Sequence, residues 1–373
     1  MENMVKASAV PDAKTLSAYR GKRIFVTGDT GFKGSWLSLW LSELGADVTG
    51  YALPPSYPHS HFELLGLNRT IRHIDGDIRD AASLAKHLRD ARPEFVFHLA
   101  AQSLVRRSYA DPLETFSTNV LGSAHLLEAV RNAPSVRALI YVTSDKCYLN
   151  KEWEWSYRET DELGGHDPYS ASKAAAEKVF QGYYHSFLKH RPELGAATVR
   201  AGNVIGGGDW AADRLIPDCI RALQNGKPIV LRNPDATRPW QFVLEPVGGY
   251  LVHALRLAQA PQRYAGSWNY GPEAGSLQTV AEVVGRIIEL WGTGKIERET
   301  ANDTRHEAML LQLSIDKVRG QLGWRPIYDA AKSIDQTVRW YRTMHRGAAS
   351  AADLSRSQIR EYMAAADAVR AGH

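Results

Sequence analysis

Ile24-Phe25-Val26-Thr27-Gly28-Asp29-Thr30-Gly31-Phe32-Lys33-Gly34-Ser35-Trp36 is the stretch that decides the fold. A short apolar strand, Ile24–Thr27, runs straight into three glycines, and a helix over 32–44 opens directly behind them. Glycine lets the backbone turn tightly and approach a pyrophosphate. The helix N-terminus adds free N–H groups and the positive end of its dipole. The spacing is G-x-x-G-x-x-G, not the G-x-G-x-x-G of ordinary dehydrogenases. Strand, glycine turn and helix in this order predict a dinucleotide site, with Gly28, Thr30, Gly31, Phe32, Lys33 and Gly34 as its contacts.

Further along, apolar strands alternate with helical stretches. Strands are expected at 48–51, 71–74, 95–99, 139–143 and 197–200, with helices over 80–91, 112–132 and 168–190 between them. Continuous apolar strands separated by helices predict a Rossmann-like doubly wound parallel sheet, an α/β fold covered on both faces. After Arg200 the rhythm changes. Gly206-Gly207-Gly208 is irregular, Asn225-Gly226-Lys227-Pro228 and Arg232-Asn233-Pro234-Asp235 read as turns, and helices follow at 213–224, 247–259, 278–291 and 330–343. This part is expected to form a smaller α/β substrate-binding cap, interleaved with the first domain. Residues 1–20 are a polar leader, and the Ala-rich 346–373 is a terminal helix or tail.

The second motif is Tyr169-Ser170-Ala171-Ser172-Lys173, preceded by Ser144-Asp145-Lys146. Residues four apart share one helix face, so the ammonium is placed to hold the phenol partly ionised. A general base near neutral pH then requires a phenol about three units below its usual ~10. Asp145-Lys146 adds acid/base groups that plain hydride transfer does not need. Asp77-Ile78 after the third strand is expected to hold the adenine, and Leu99-Ala100-Ala101-Gln102 to line the middle of the cofactor. The second strand ends in Tyr51-Ala52-Leu53-Pro54-Pro55, without the acidic residue that normally holds the adenosine ribose. No arginine there awaits a 2′-phosphate either, and NAD is preferred over NADP.

The bulk properties narrow the class. The chain has 373 residues, 44% apolar and 23% charged, as in an ordinary globular protein. A net charge of +4 without a Lys/Arg run gives no footing for nucleic acid. No apolar run approaches the ~20 residues of a membrane span. Two cysteines, Cys147 and Cys219, fit a reducing compartment, and a cytoplasmic location is expected. No His/Cys/carboxylate cluster has metal-ligand spacing.

These segments, with Gly202-Asn203-Val204-Ile205-Gly206-Gly207-Gly208-Asp209-Trp210 and Arg238-Pro239-Trp240-Gln241, resemble the nucleotide-sugar 4,6-dehydratases of the extended short-chain dehydrogenase/reductase superfamily. The likeness runs from about Gly21 to Arg342. It is strongest to the branch acting on CDP-D-glucose, which resembles this chain in carrying Asp-Lys where the deoxythymidine-diphosphate-glucose enzymes carry Asp-Glu. Asp29 stands where that family often has His. The resemblance implies an NAD-binding domain over 21–200 with 240–265 returning to it, and a nucleotide-sugar-binding domain over 201–239 and 266–345.

It also implies an internal redox dehydration. Tyr169 removes the 4-hydroxyl proton while hydride passes to NAD. Lys146 takes the C5 proton, Asp145 protonates the departing 6-hydroxyl, and the hydride returns to C6. Ser144 donates to the 4-oxygen, and Lys173 serves both phenol and cofactor. A lysine base must be neutral, so its pKa has to fall from ~10.4. Arg238 is the expected diphosphate ligand, with Asn203 and Arg214 as further substrate contacts and His306 toward the nucleotide. Trp153, Trp155 and Trp210 frame the pocket or pack its loops. A homodimer or homotetramer is implied, paired through helices 112–132 and 168–190, with Leu126, Leu127 and Phe180 either at that seam or packed on their own sheet. Two other readings stay open: a 4-epimerase or reductase of the same fold, which needs no second acid/base pair, and a non-catalytic dinucleotide sensor.

Overall fold

The computed structural model describes residues 10–57, 59–273, 277–298 and 310–371. Its centre is a sheet of seven strands: β1 (Arg23–Thr27), β2 (Asp47–Ala52), β3 (Arg72–Asp75), β4 (Phe95–His98), β5 (Ala138–Val142), β6 (Gly195–Ala201) and β7 (Gly266–Tyr270). The order is β7-β6-β5-β4-β1-β2-β3, and every pairing is parallel. Strand order reverses between β1 and β4, so a ligand crevice lies outside their carboxyl ends.

Seven long helices cover or flank this sheet: α1 (Phe32–Glu43), α2 (Ala81–Ala91), α3 (Ser123–Arg131), α4 (Pro168–Ser186), α5 (Leu244–Gln259), α6 (Ala330–His345) and α7 (Ala351–Ala371). Alternation along the strands divides the core in two. Ile24, Val26, Phe97, Ile140 and Val199 face one layer with α1 and α5. Phe25, Val96, Leu139 and Tyr141 face the other, with α2, α3 and α4. Both faces are buried, which is why the strands read as unbroken apolar runs rather than alternating ones.

One expectation changes here and two open alternatives are decided. Residues 266–270, placed with the cap, form the seventh strand of the main sheet. Gly-Ser-Trp-Asn-Tyr hides this because its polar members are held by specific bonds, such as that of buried Asn269 to Tyr148. Leu126, Leu127 and Phe180 do not form an exposed seam but lie fully buried in the layer under their own sheet. Finally, of the terminal helix or tail expected, the helix forms: 351–371 is docked, with Ile359 and Tyr362 in the main core.

The second part is built from short pairs. Val204–Ile205 pairs with Gln241–Phe242, Ile229–Leu231 with Ile296–Arg298, and Thr237–Arg238 antiparallel with Gln278–Thr279. Helices Leu215–Gln224 and Val280–Trp291 accompany them, the latter opened by a Thr279–Glu282 capping box. Among the described residues no helix is long and apolar enough to cross a membrane.

Leu127 tests the corrected layer. Leu127→Ala should lower stability by about 2–5 kcal/mol in chemical denaturation while leaving the solution mass unchanged. A change of mass without that loss would return Leu127 to an interface.

Candidate active site

The cofactor turn requires its glycines. Gly28 has φ +79°, and a Cβ there would stand 2.6 Å from the Ala100 amide nitrogen. At Gly34 a Cβ would stand 2.0 Å from the Gly28 carbonyl oxygen. Gly31 caps α1 without a side-chain bond, so the first-turn N–H groups remain available to an anion. Thr30 ties the turn to the end of β2, its hydroxyl donating to the Leu53 carbonyl at 2.9 Å. Half-buried Phe32 and Lys33 open α1, and Leu99, Ala100 and Ala101 follow β4 across the crevice. A glycine cradle that any Cβ would fill, beside an uncapped helix N-terminus, fits a dinucleotide pyrophosphate.

Asp29 would repel that anion if it faced it. Its side chain instead turns beneath the loop, over β2, where a Cβ on Gly50 would meet Asp29 Oδ2 at 2.1 Å. His73 on β3 holds the same oxygen at 2.7 Å. The Asp29 bond lifts the His73 pKa, while burial lifts that of Asp29.

The other expected cofactor residues are engaged within the protein. Asp77 receives Arg79 through Nε at 2.8 Å and a terminal nitrogen at 2.6 Å, which holds its carboxyl below the usual range. Ile78 is buried against Gly122. Gln102 donates to Thr115 Oγ1 and accepts from the Leu104 amide, so its side chain shapes its own loop.

The catalytic residues come together. Asp167 caps α4, accepting from the Ser170 amide, and Pro168 occupies the first turn. This places Tyr169 at the helix start and Lys173 one turn on, both buried. Opposite, Ser144 caps the 3₁₀ turn Asp145–Cys147, accepting from the Lys146 amide at 3.2 Å and donating to Asp145 Oδ1 at 3.0 Å. The Ser144 side chain stands near enough to the Tyr169 phenol to pull its pKa down. Gly202, at the end of β6, leaves room for Asp145: a Cβ there would stand 3.1 Å from Asp145 Oδ2. Lys146 is half-buried beside them.

The expected ionised phenol is not what the geometry gives. Burial pushes Tyr169 up to about 12, against the Ser144 side chain and the Arg214 charge, which pull it down. Lys173 is itself brought down to about 8 by burial, and so is Lys33. Desolvation exceeds the pairing in each case. The phenol is therefore neutral in this structure, and to act as a base it must first give up its own proton.

Of the expected substrate residues, Arg214 is best placed. It bonds Asp209 at 2.8 Å and Ser103 Oγ at 3.3 Å, and its charge reaches Tyr169 and Lys33. Arg238 is nearly buried, donating to the Thr237 carbonyl at 2.9 Å, one residue before Pro239, which packs beside Gly202. Asn203 accepts from the Gln241 amide at 3.0 Å. His306 lies outside the described residues. Trp153 packs on Tyr157 and Trp210 against Tyr341, while Trp155 is exposed.

Three residues escaped the sequence. Asn119 sits in the π-helical stretch Ser117–Gly122, donating to the Gln102 carbonyl and to Ser172 Oγ, both at 2.9 Å. It joins the end of β4 to the catalytic helix. Glu177 and Arg200 form a fully buried pair at 2.7 Å behind Lys173. Ser-Thr-Asn in an apolar helix carries no visible signal. Glu177, one turn after Lys173, was legible as a further member of that face. Among the described residues no group of His, Cys, Asp or Glu is placed to hold a metal ion.

Comparison with known proteins places this geometry. Residues 25–337 match the family model described as GDP-mannose 4,6 dehydratase. The chain belongs to the nucleotide-sugar 4,6-dehydratase family. It is 46% identical over 351 residues to the CDP-glucose 4,6-dehydratase of Salmonella typhimurium, covering 93% of this chain and 98% of that one. Among solved structures, the dTDP-glucose 4,6-dehydratase DesIV of Streptomyces venezuelae with NAD bound is similar at TM-score 0.73 and 26% identity, over 86% of this chain and 97% of that one. The UDP-glucose 4-epimerase of Thermus thermophilus in complex with NAD is also similar at 0.73 and 26%, over 86% and 99%. The fold is thus shared with epimerases, and side chains must separate the two reactions.

Two tests follow from the site's electrostatics. Arg200→Met leaves the Glu177 carboxylate buried without its cation, and should lower stability by about 3–5 kcal/mol in chemical denaturation. A loss below about 1 kcal/mol would show that water reaches Glu177. Lys173 loses its ammonium as pH rises through about 8, so the first oxidation step should slow above that pH. Lys173→Arg keeps a charge there, and the limb should move to higher pH. A limb unmoved by that change assigns it to another group.

Proposed function

We propose that this chain is an NAD-dependent nucleotide-sugar 4,6-dehydratase, converting CDP-D-glucose to CDP-4-keto-6-deoxy-D-glucose and water. The observation that carries this is Asp145-Lys146 on the turn capped by Ser144, across from Tyr169. An epimerase has no step that uses this second acid/base pair, and a non-catalytic sensor has no use for Tyr169 with Lys173. The 46% likeness to a CDP-glucose 4,6-dehydratase supports the base and sugar.

NAD, held by the Gly28–Gly34 cradle, supplies the hydride acceptor and donor for the two ends of the reaction. Tyr169, once it has given up its own phenolic proton, takes the 4-hydroxyl proton, with Ser144 donating to the same oxygen. The resulting ketone acidifies C5. Lys146 removes the C5 proton, Asp145 protonates the 6-hydroxyl as water departs, and C5 is reprotonated as the hydride returns to C6. Arg238 and Arg214 bind the diphosphate, with Asn203 beside them. Division into an NAD-binding part over 21–200 and 240–265 and a sugar-nucleotide part over most of the remainder to 345 belongs to the same reading.

We assign the enzyme to the cytoplasm, supported by two free, buried cysteines. A homodimer is supported by Leu113 (80% exposed), Leu121 (58%) and Phe116 (38%), all apolar and all on the Pro112–Gly122 stretch. A monomer mass by light scattering at all concentrations would remove the dimer.

The role of Lys146 separates the steps. Lys146→Met should allow the first oxidation, seen as reduced-dinucleotide absorbance, and stall at the 4-keto hexose. Tyr169→Phe should block that absorbance change. General-base losses run to about 10²–10⁴ in rate, so the two phenotypes are well resolved. Near-normal dehydration by Lys146→Met would make Lys146 an ion-pair partner only. Deuterium placed at C4 should appear at C6, and net release of reduced cofactor would turn the reading toward a plain dehydrogenase.

A further inference from the structure

The helix α7 lies beyond the 25–337 match to the family, and no step above uses it. Its Ser355, fully buried, accepts from Trp340 Nε1 at 3.0 Å and lies 3.0 Å from His61 Nε2. His61 Nδ1 is 2.8 Å from Ser35 Oγ, and Ser35 donates to the Phe32 carbonyl at 2.9 Å. An indole only donates and a carbonyl only accepts, so every proton between them is ordered. Trp340 donates to Ser355, Ser355 donates to Nε2, Nδ1–H donates to Ser35, and Ser35 donates to Phe32. Burial holds His61 neutral, pushing it down to about 3, as this order requires. The chain ends on a residue of the cofactor turn.

The same cluster grips the segment leading to Arg214. Trp36 Nε1 donates to the Gly207 carbonyl at 2.9 Å. A Cβ on Gly207 would stand 2.1 Å from the Trp340 ring, and one on Gly208, at φ +82°, 2.3 Å from the His61 ring. Tyr341, next to Trp340, donates to the Asp209 carbonyl, and the Asp209 carboxylate holds Arg214. The Gly206–Gly208 run therefore passes between these rings.

We propose that α7 is a positioning element of the active site: Ser355, through His61 and Trp340, sets the cofactor turn at Phe32 and the segment that presents Arg214. The Arg214 arm rests on the dehydratase reading, while the cofactor arm needs only dinucleotide binding. A second site on α7 serves as a control. Tyr362 donates to Glu245 at 2.8 Å, away from His61, and anchors the helix without joining the ordered chain.

The test uses the full-length protein and measures NAD affinity by calorimetry, KM and kcat for CDP-glucose, and amide exchange over 32–36 and 206–209. Ser355→Ala should weaken NAD binding about fivefold, raise KM more than it lowers kcat, and speed exchange in both segments. Ser355→Thr keeps the hydroxyl and should restore NAD affinity. Tyr362→Phe should lower the melting temperature and leave NAD affinity unchanged. If Ser355→Ala does not fold, Arg356→Ala with Arg360→Ala loosens α7 at its surface contacts with Glu43 on α1, and should weaken NAD binding about twofold. Unchanged NAD affinity in the folded Ser355 or arginine variant, or an equal loss in Tyr362→Phe, overturns the proposal. A wild type that binds NAD yet leaves CDP-glucose unaltered overturns the dehydratase reading, while the affinity comparison still decides the role of α7.

Discussion

The Glu177–Arg200 pair, sealed from solvent, is the interaction on which the catalytic arrangement depends. Glu177 leaves α4 one turn after Lys173 and accepts from Thr143 at 2.6 Å, Thr198 at 2.9 Å and two nitrogens of Arg200. Thr143 directly precedes Ser144. Arg200 also donates to the Tyr148 hydroxyl at 2.7 Å, and Tyr148 directly follows Cys147. One ion pair thus holds α4, both ends of the Ser144–Cys147 turn, and β6. Tyr148 extends it to Asn269 on β7. Burying two charges costs several kcal/mol, and the pair is no net source of stability unless its remaining bonds are made. Here they are made, and the return is a fixed distance between the Tyr169 helix and the Ser144 turn.

In front of that pair the electrostatics run the other way. Lys33, Lys173 and Arg214 share a crevice with the carboxylates of Asp145 and Asp209. Desolvation draws both lysines down to about 8, whereas Asp209 keeps the Arg214 guanidinium charged. Of these three, one is a permanent cation and two are easily deprotonated. A doubly anionic diphosphate lowers the energy of all three charges at once, which favours substrates of this class over a neutral sugar.

Much of this was legible in the chain because it is local. A glycine turn between strand and helix, a Tyr and Lys one turn apart, and apolar strand runs depend on neighbours within a few residues. What was hidden depends on which surface an apolar or polar residue meets. Leu126, Leu127 and Phe180 were visible as apolar positions, but a sequence does not say whether an apolar face meets its own sheet or another copy. β7 was missed because Asn269 and Ser267 look like loop residues until Tyr148 and Glu177 supply their partners. The phenol was expected to ionise from its spacing to Lys173, yet spacing carries no measure of desolvation, and desolvation prevails. Asn119 depends on a π-turn, which no periodicity marks.

Asp29 shows how such conflicts are resolved by geometry rather than by composition. A carboxylate inside a phosphate-binding turn is unfavourable on charge alone. The structure makes it tolerable through a residue that looked incidental: Gly50 on β2, whose missing side chain gives the carboxylate room to turn under the loop. His73 then supplies a partner, and the bond raises the imidazole pKa, so its contribution is fully present below the ordinary histidine value and fades as pH rises through the raised one. Among the described residues Asp29 Oδ1 has no hydrogen-bond partner, a cost the turn bears to keep negative charge off its upper face. The same logic governs Gly207 and Gly208. In both places a glycine marks where another element's side chain must enter, so the glycines outside the cofactor turn record packing between parts of the chain as faithfully as those inside it record the ligand.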